Sequence, residues 1–282
     1  MSKLTFRKII NFLALSLCVI FTLIVMFPLF SLLSYVISKG IQVINLDFFI
    51  NLPAPAGEYG GGLGNAVLGT IYMVGIAVMF ALPIGILNGI YLSEFGSEKL
   101  AKAVRFICDV LTGVPSIVVG IFVYIILVKT LRTFSAFAGG VALALIMIPI
   151  VIRTTEEMLR LVPNTLREAS LALGATSWRT TISVVLPSAA RGIVTGIMLA
   201  VARAAGETAP LLFTALNSRY WPGDLFATTA SLPVYIFTYA ISPYASWQDL
   251  AWAGAFVLIS MILLVNLFAK LVSSRFVQMR GE

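Results

Sequence analysis

The chain consists of long apolar runs separated by shorter polar or charged segments. Six runs are long enough to cross a bilayer whose hydrocarbon core is about 30 Å thick. They cover residues 12–37, 66–92, 106–128, 134–152, 192–216 and 250–272. Each run is longer than a buried helix of a soluble protein needs. The pattern therefore predicts an all-α, polytopic membrane protein with six transmembrane helices, in which residues 1–282 form a single transmembrane domain.

Composition supports this prediction and excludes several classes of function. Of the 282 residues, 60% are hydrophobic and 11% are charged, whereas soluble proteins have about 25% charged residues. The chain has no histidine, which excludes imidazole metal sites, Ser-His-Asp triads and histidine proton relays. Cys18 and Cys108 lie in apolar segments, so they do not indicate a disulfide framework or a metal site. We predict no catalytic residue, no metal and no cofactor in this chain.

The net charge of +7 is distributed unevenly along the chain. If the N-terminus lies inside, the four inner segments hold three, three, five and three Lys or Arg residues, which makes 14. The outer segments hold four, Lys39, Lys129, Arg132 and Arg219. Because inner loops carry the excess of basic residues, both termini are predicted to be cytoplasmic. The positive charge is then an insertion signal and does not indicate a nucleic-acid partner.

The segment between the fourth and fifth runs, residues 153–191, is 39 residues long. This length is too great for a passive turn. Pro163-Asn164 provides a helix start and Gly174 a helix stop, while Thr176 or Ser177 caps a second helix that we expect to end at Pro187. The segment is predicted to be a cytoplasmic loop made of two short helices.

The first of these helices has one apolar face. Leu166, Ala169 and Leu173 recur at helical spacing, so they share that face. Arg167 and Glu168 point elsewhere. A short amphipathic helix is therefore predicted to project into the cytoplasm, where its small residues favour docking against a partner over contact with lipid.

This loop also resembles a known motif. Glu168-Ala169-Ser170, Gly174 and Val184-Val185-Leu186-Pro187 resemble the EAA loop of bacterial ABC importer permeases, whose pattern is E-A-A, three residues, G, nine residues and I-x-L-P. The spacing matches throughout, and only Ser170 and Val184 depart from the pattern. In that family the loop forms a coupling helix that sits in a cleft of the ATPase subunit. The resemblance implies that Glu168, Ala169, Ser170, Gly174, Leu186 and Pro187 couple this chain to an ATPase.

A second motif extends the resemblance over the chain. The run from Arg203 to Leu212, R-A-A-G-E-T-A-P-L-L, looks like the fifth-helix signature of phosphate permeases of this class. The resemblance implies the MetI-like fold of type I importers, a bacterial inner-membrane location and inorganic phosphate as substrate. It also implies four kinds of partner: a second homologous permease subunit, two copies of a cytoplasmic ATPase, an external phosphate-binding protein and membrane lipid. ATP and Mg²⁺ would bind to the ATPase, since this chain has no Gly-Lys dipeptide and hence no Walker A loop.

Arg203 and Glu207 are the candidate substrate residues. They are four positions apart in the fifth apolar run, where they could meet on one helical face. One hypothesis is that Arg203 attracts phosphate in the pathway while Glu207 holds its guanidinium. The other hypothesis is a neutral ion pair with a purely structural role.

Two other functions remain open at the level of sequence. The chain could be a permease for another oxyanion, such as molybdate or sulfate, because the coupling loop would look alike. It could also be a secondary transporter or channel that works alone. The absence of histidine argues against a histidine proton relay, but the Arg203–Glu207 pair does not exclude this class.

Overall fold

The computed structural model describes residues 3–278, with side chains for residues 7–271. Its α-helices are α1 (Lys3–Gly40), α2 (Leu46–Ile50), α3 (Gly64–Ile90), α4 (Glu98–Gly113), α5 (Ser116–Val123), α6 (Lys129–Leu131), α7 (Ala136–Arg160), α8 (Asn164–Ala172), α9 (Ser177–Thr180), α10 (Leu186–Ala205), α11 (Ala209–Thr214), α12 (Leu232–Ala240) and α13 (Ala245–Gln278). Three π-helical segments, Tyr91–Phe95, Tyr124–Val128 and Thr181–Val185, join or extend them. Arg280, which contributed to the prediction for the C-terminus, lies outside the described residues.

Four of the six predicted spans lie within single long helices. The runs 12–37, 66–92, 134–152 and 250–272 fall in α1, in α3 with its π-helical extension, in α7 and in α13. Within residues 3–278, five helices are long and apolar enough to cross a membrane, and the number is six if the bent pair formed by Glu98–Gly113 and Ser116–Leu131 counts as one span. The all-α, polytopic fold is confirmed.

The third predicted span, 106–128, is not one straight helix. It is divided between α4 and α5, whose axes differ by 101° across the break. Val114 adopts an extended conformation there, with φ −71° and ψ 132°. Pro115 explains this, because the residue before a proline is pushed out of the α region. The expectation of an uninterrupted third helix is therefore wrong.

The fifth predicted span, 192–216, begins too late and ends beyond the helix. A single helical rod runs from Ser177 through the π-helical segment and α10 to Ala205. Residues 206–208 then interrupt it, and α11 begins at Ala209. Gly206 ends α10, where its backbone N–H contacts the carbonyls of Arg203 and Ala204. The expectation of one helix through residue 216 is therefore corrected.

The predicted loop 153–191 is also shorter than expected. Helix α7 continues to Arg160, and the rod that ends in α10 starts at Ser177. Pro187 does not end the rod, because it lies at the start of α10, where a local π-helical adjustment accommodates its missing backbone N–H. The π-helical segment Thr181–Val185 directly precedes α10. The connection between the two long helices is thus confined to α8 and its flanking turns.

Helix α7 lies at the centre of the bundle and is covered by α3 and α10. An added Cβ at Gly85 or Gly89 of α3 would lie 2.6 Å from Val151 or Thr155 of α7. The contact on α7 advances by four residues when the glycine on α3 advances by four residues. Helices α3 and α7 therefore run in the same direction. Gly192 and Gly196 of α10 meet Met158 and Thr154 in the opposite order, so α10 is antiparallel to α7. The two Gly-x-x-x-Gly motifs permit these close approaches.

The directions of the helices place α8 and α12 at opposite ends of the bundle. Helix α3 begins near Ser218, whose carbonyl accepts a hydrogen bond of 2.8 Å from Asn65. It ends beside the turn after α8, where Phe95 lies 6.0 Å from Trp178 between ring centroids. We call these the α12 end and the α8 end. Helix α12 is buried at its own end, where Leu232 donates its backbone N–H to Thr70.

Candidate coupling and translocation site

Helix α8 projects from the α8 end with no buried residue. Leu166 and Leu173, on the predicted apolar face, are 42% and 90% exposed. Glu168 and Ala169 are exposed as well. The apolar face is therefore turned away from the rest of the chain, which leaves it free for a partner.

A tight turn ends α8 and sends the chain back into the membrane. Gly174 has a φ of +84°, and nothing lies within 4 Å of the position its Cβ would occupy. The hydroxyls of Ser170 and Thr180 are 2.9 Å apart, and Thr176 caps the next helix by accepting from the N–H of Arg179. The predicted helix stop at Gly174 and the cap at Thr176 are confirmed.

The remaining residues of the loop motif lie at the start of α10. Leu186 and Pro187 are half-buried, and Leu186 packs against a cluster that includes Leu159 and Val185. They do not share the exposed surface with Glu168. Their position suits them to hold α10 in place behind α8.

One side chain of α8 is turned inward, and sequence reasoning did not identify it. Nη2 of Arg167 is 2.8 Å from Oε1 of Glu94, which lies in the π-helical segment after α3. Hydrogen bonding to Glu94 raises the pKa of Arg167 further above its ordinary value. No short-range pattern could reveal the pair, because 73 positions separate the two residues.

A second ionic network joins α4 to α7 at the same end. Glu156 is 1% exposed, and its Oε1 lies 2.6 Å from Arg105 and 3.0 Å from Arg160. Arg153 lies 3.4 Å from Asp109. The latter two residues line a cavity of about 510 Å³ beside the break between α4 and α5. Sequence reasoning missed the contacts of Arg105 and Asp109 because these residues lie in α4 and their partners in α7.

The structure brings Arg203 and Glu207 together, although not on one helix. Arg203 lies in the last turn of α10, whereas Glu207 lies in the break after Gly206. Nε of Arg203 is 3.7 Å from Oε1 of Glu207, which is beyond normal hydrogen-bond distance. The side chains are 44% and 16% exposed. The predicted proximity is confirmed, and the predicted placement of Glu207 inside the helix is wrong.

Arg203 lies at the depth of the bundle core. Its neighbours Ala200 and Ala204 belong to the buried cluster that includes Leu143 and Met147 from the middle of α7. A charge at such a depth costs about 2.5–3.5 kcal/mol on insertion scales. Charges at this depth generally face a bundle interior or a water-filled cavity, and the Arg203 side chain is 44% exposed in this chain.

The described residues thus combine a short exposed helix at the α8 end with a charged pair at mid-depth of the bundle. The counter-ion of Arg203 lies at 3.7 Å, which is too distant for a strong hydrogen bond. The part of the chain with described side chains holds no group of three Asp, Glu, Cys or His residues that could bind a metal. A guanidinium in this setting can bind an anion through charge-assisted hydrogen bonds.

Solved structures share this fold. A bacterial alginate ABC transporter in complex with a pentasaccharide-bound periplasmic protein aligns with a TM-score of 0.68 over 96% of this chain and 97% of the other, at 18% identity. The MetNI methionine ABC transporter aligns with a TM-score of 0.54 over 77% of this chain and 94% of the other, at 21% identity. At these identities the likeness concerns the fold alone.

Sequence relatives cover nearly the whole chain. The family described as binding-protein-dependent transport system inner membrane component matches residues 81–278. The phosphate transport system permease protein PstA of Yersinia pestis is 46% identical over 97% of this chain and 93% of its own length. The PstA protein of Haemophilus influenzae is 45% identical over 94% of both. The chain therefore belongs to the PstA family of phosphate transport system permeases, within the inner-membrane components of binding-protein-dependent transport systems.

Proposed function

We propose that this chain forms half of the translocation pathway of an ATP-driven importer of inorganic phosphate. The observation that carries this proposal is the 46% identity over 97% of the chain with a relative named as a phosphate transport permease. The other half of the pathway is a second, homologous permease subunit. Two copies of a cytoplasmic ATPase supply the energy, and an external binding protein delivers phosphate.

In this proposal Arg203 is the attractive charge on the phosphate route. Charge-assisted hydrogen bonds from a guanidinium to phosphate are short and strong. At 3.7 Å, Glu207 is close enough to orient Arg203 by attraction and too far to occupy its donors fully. The nearby carboxylate also repels the anion, which keeps binding weak enough for release.

Helix α8 is the coupling element in this proposal. Its exposed apolar face, with Leu173 at the tip, supplies the surface that enters a cleft on the ATPase, and Glu168 supplies a carboxylate for a polar contact there. The positive φ of Gly174 gives the sharp turn behind the inserted helix. ATP hydrolysis in the partner then moves α8 together with the membrane helices attached to it.

A transport assay with a panel of anions tests the substrate. The chain is reconstituted with the second permease, the ATPase and the binding protein, and uptake of phosphate, sulfate and molybdate is measured with and without ATP. We expect uptake of phosphate only, and only with ATP. Uptake of sulfate or molybdate in place of phosphate would identify a different oxyanion permease. ATP-independent uptake by the isolated chain would instead identify a secondary transporter.

A labelling experiment tests the orientation that we propose, with the α8 end in the cytoplasm. Single cysteines replace Ser177 or Tyr220 in a variant that lacks Cys18 and Cys108. Tyr220, near the α12 end, is 77% exposed, and Ser177 is exposed at the α8 end. We expect an impermeant thiol reagent to label only Tyr220→Cys in intact cells and both variants after permeabilisation. Labelling of Ser177→Cys alone in intact cells would show that the α8 end faces outward, opposite to the proposed orientation.

A further inference from the structure

The guanidinium of Arg167 connects α8 to the ends of two transmembrane helices. Nη2 donates to Oε1 of Glu94 at 2.8 Å, and Nε donates to Oε2 at 3.2 Å. Glu94 belongs to the π-helical segment that extends α3. The two hydrogen bonds form a bidentate pair, which fixes both distance and orientation.

The same guanidinium also binds the end of α7. Nη2 donates to the carbonyl of Leu159 at 2.9 Å, and Nη1 donates to the carbonyl of Val162 at 2.6 Å. Carbonyl groups at the end of a helix lack partners within it and carry partial negative charge. The carbonyl of Leu159 also accepts the backbone N–H of Val162, and the guanidinium adds a charged donor at this point while it holds the carboxylate from α3.

This connection is largely shielded from solvent. The side chains of Arg167 and Glu94 are 19% and 10% exposed, and the hydroxyl of Ser93 donates a further hydrogen bond of 3.0 Å to Glu94. Such pairs are screened by salt much less than exposed ones. Its partners lie at the ends of α3 and α7, the two parallel helices at the centre of the bundle.

Few other side chains tie α8 to the membrane helices. Within residues 7–271, the side chains of α8 that hydrogen-bond beyond the helix and its preceding turn are Arg167 and Ser170. Ser170 reaches Thr180 in α9, which leads into α10. A displacement of α8 can thus reach α3 and α7 directly through Arg167.

We propose that the Arg167–Glu94 pair transmits the movement of α8 to the ends of α3 and α7, so that these residues position the pathway helices during the transport cycle. The proposal rests on the proposed function of α8 as the coupling element. Both residues act through the helices they connect, and neither contacts the substrate. Loss of the pair should therefore separate ATP hydrolysis from phosphate movement while leaving the complex assembled.

The experiment compares variants in the reconstituted four-component complex in liposomes. Glu94→Gln keeps the shape of the side chain and removes its charge, and Arg167→Lys keeps the charge and removes the bidentate geometry. The control is Glu98→Gln, which breaks the ion pair between Glu98 and Lys102 at the same end, where the side chains are 81% and 69% exposed. Phosphate uptake and ATP hydrolysis are measured on the assembled complex, purified through a tag on the ATPase.

We expect Glu94→Gln and Arg167→Lys to lower the number of phosphate ions moved per ATP, because ATP hydrolysis continues while the movement of α8 no longer reaches α3 and α7. Glu98→Gln should leave this ratio unchanged. If either variant assembles and keeps the normal ratio, the proposal is overturned. The same holds if the variants lower assembly or thermal stability while the assembled fraction transports normally, since the pair is then only structural. Failure of the unmodified complex to transport phosphate would instead refute the proposed function.

Discussion

Arg203→Gln is expected to reduce phosphate uptake by about a hundredfold, the effect of losing two charge-assisted hydrogen bonds to the anion. Glutamine keeps much of the side-chain length but removes the attractive charge, while the carboxylate of Glu207 remains to repel the substrate. Assembly should be unaffected, because the ion pair is long and the Arg203 side chain is 44% exposed. The measurement is uptake of labelled phosphate by the reconstituted complex, alongside recovery of the ATPase.

Two further variants separate a pathway role from a structural role. Glu207→Gln should also impair transport, because the unrestrained guanidinium would bind phosphate too tightly or in the wrong place. Lys129→Gln, with the same change of charge at an exposed position outside the candidate site, is the control and should transport normally. If Arg203→Gln with Glu207→Gln restores normal uptake, the pair is a structural ion pair and the pathway role is wrong.

Gly174→Val is expected to lower co-purification of the ATPase by about tenfold while membrane insertion stays normal. A left-handed conformation costs a residue with a Cβ roughly 1–2 kcal/mol, and more for a β-branched side chain. Because nothing lies within 4 Å of the added Cβ, the cost comes from the backbone and not from a clash. The turn after α8 should therefore open, and the exposed face of α8 should lose its orientation toward the ATPase.

Two control variants distinguish the effect of backbone strain at Gly174 from the effect of backbone strain elsewhere in the chain. Gly60 also has a positive φ, +100°, and nothing within 4 Å of an added Cβ. It lies in the loop before α3, so Gly60→Val should leave ATPase binding unchanged. Gly174→Asn should retain most binding, because asparagine tolerates the left-handed region better than other residues with a side chain. Normal recovery of the ATPase and normal uptake with Gly174→Val would refute the coupling role of this turn.

Sequence reasoning was most successful where the information is local. Hydropathy located four of the six spans, because a long apolar run has few stable alternatives to a membrane helix. The helix stop at Gly174 and the cap at Thr176 were also predicted, since both depend on the conformation or side chain of one residue. The approach of Arg203 to Glu207 was predicted because only four positions separate them.

Errors arose where a run of apolar residues does not follow one straight axis. Pro115 breaks the third span at Val114, whereas Pro187 is accommodated because a π-helical segment directly precedes it. The end of α10 at Ala205 was missed because only Gly206, Glu207 and Thr208 interrupt the apolar run. The run resumes at Ala209, so hydropathy joins α10 and α11 into one span. Helix direction depends on backbone geometry, to which hydropathy is insensitive.

The amino-acid sequence by itself determined that this chain is an all-α membrane protein, that it carries a docking loop with a glycine turn, and that it belongs beside ABC importer permeases. Only the tertiary structure decided which charges meet across helices. Arg167 contacts Glu94 across 73 positions, and Arg105 contacts Glu156 across 51. The physical reason is that the packing of α3, α4 and α7 sets these distances. That packing is the sum of many apolar contacts. No short window of sequence contains that sum.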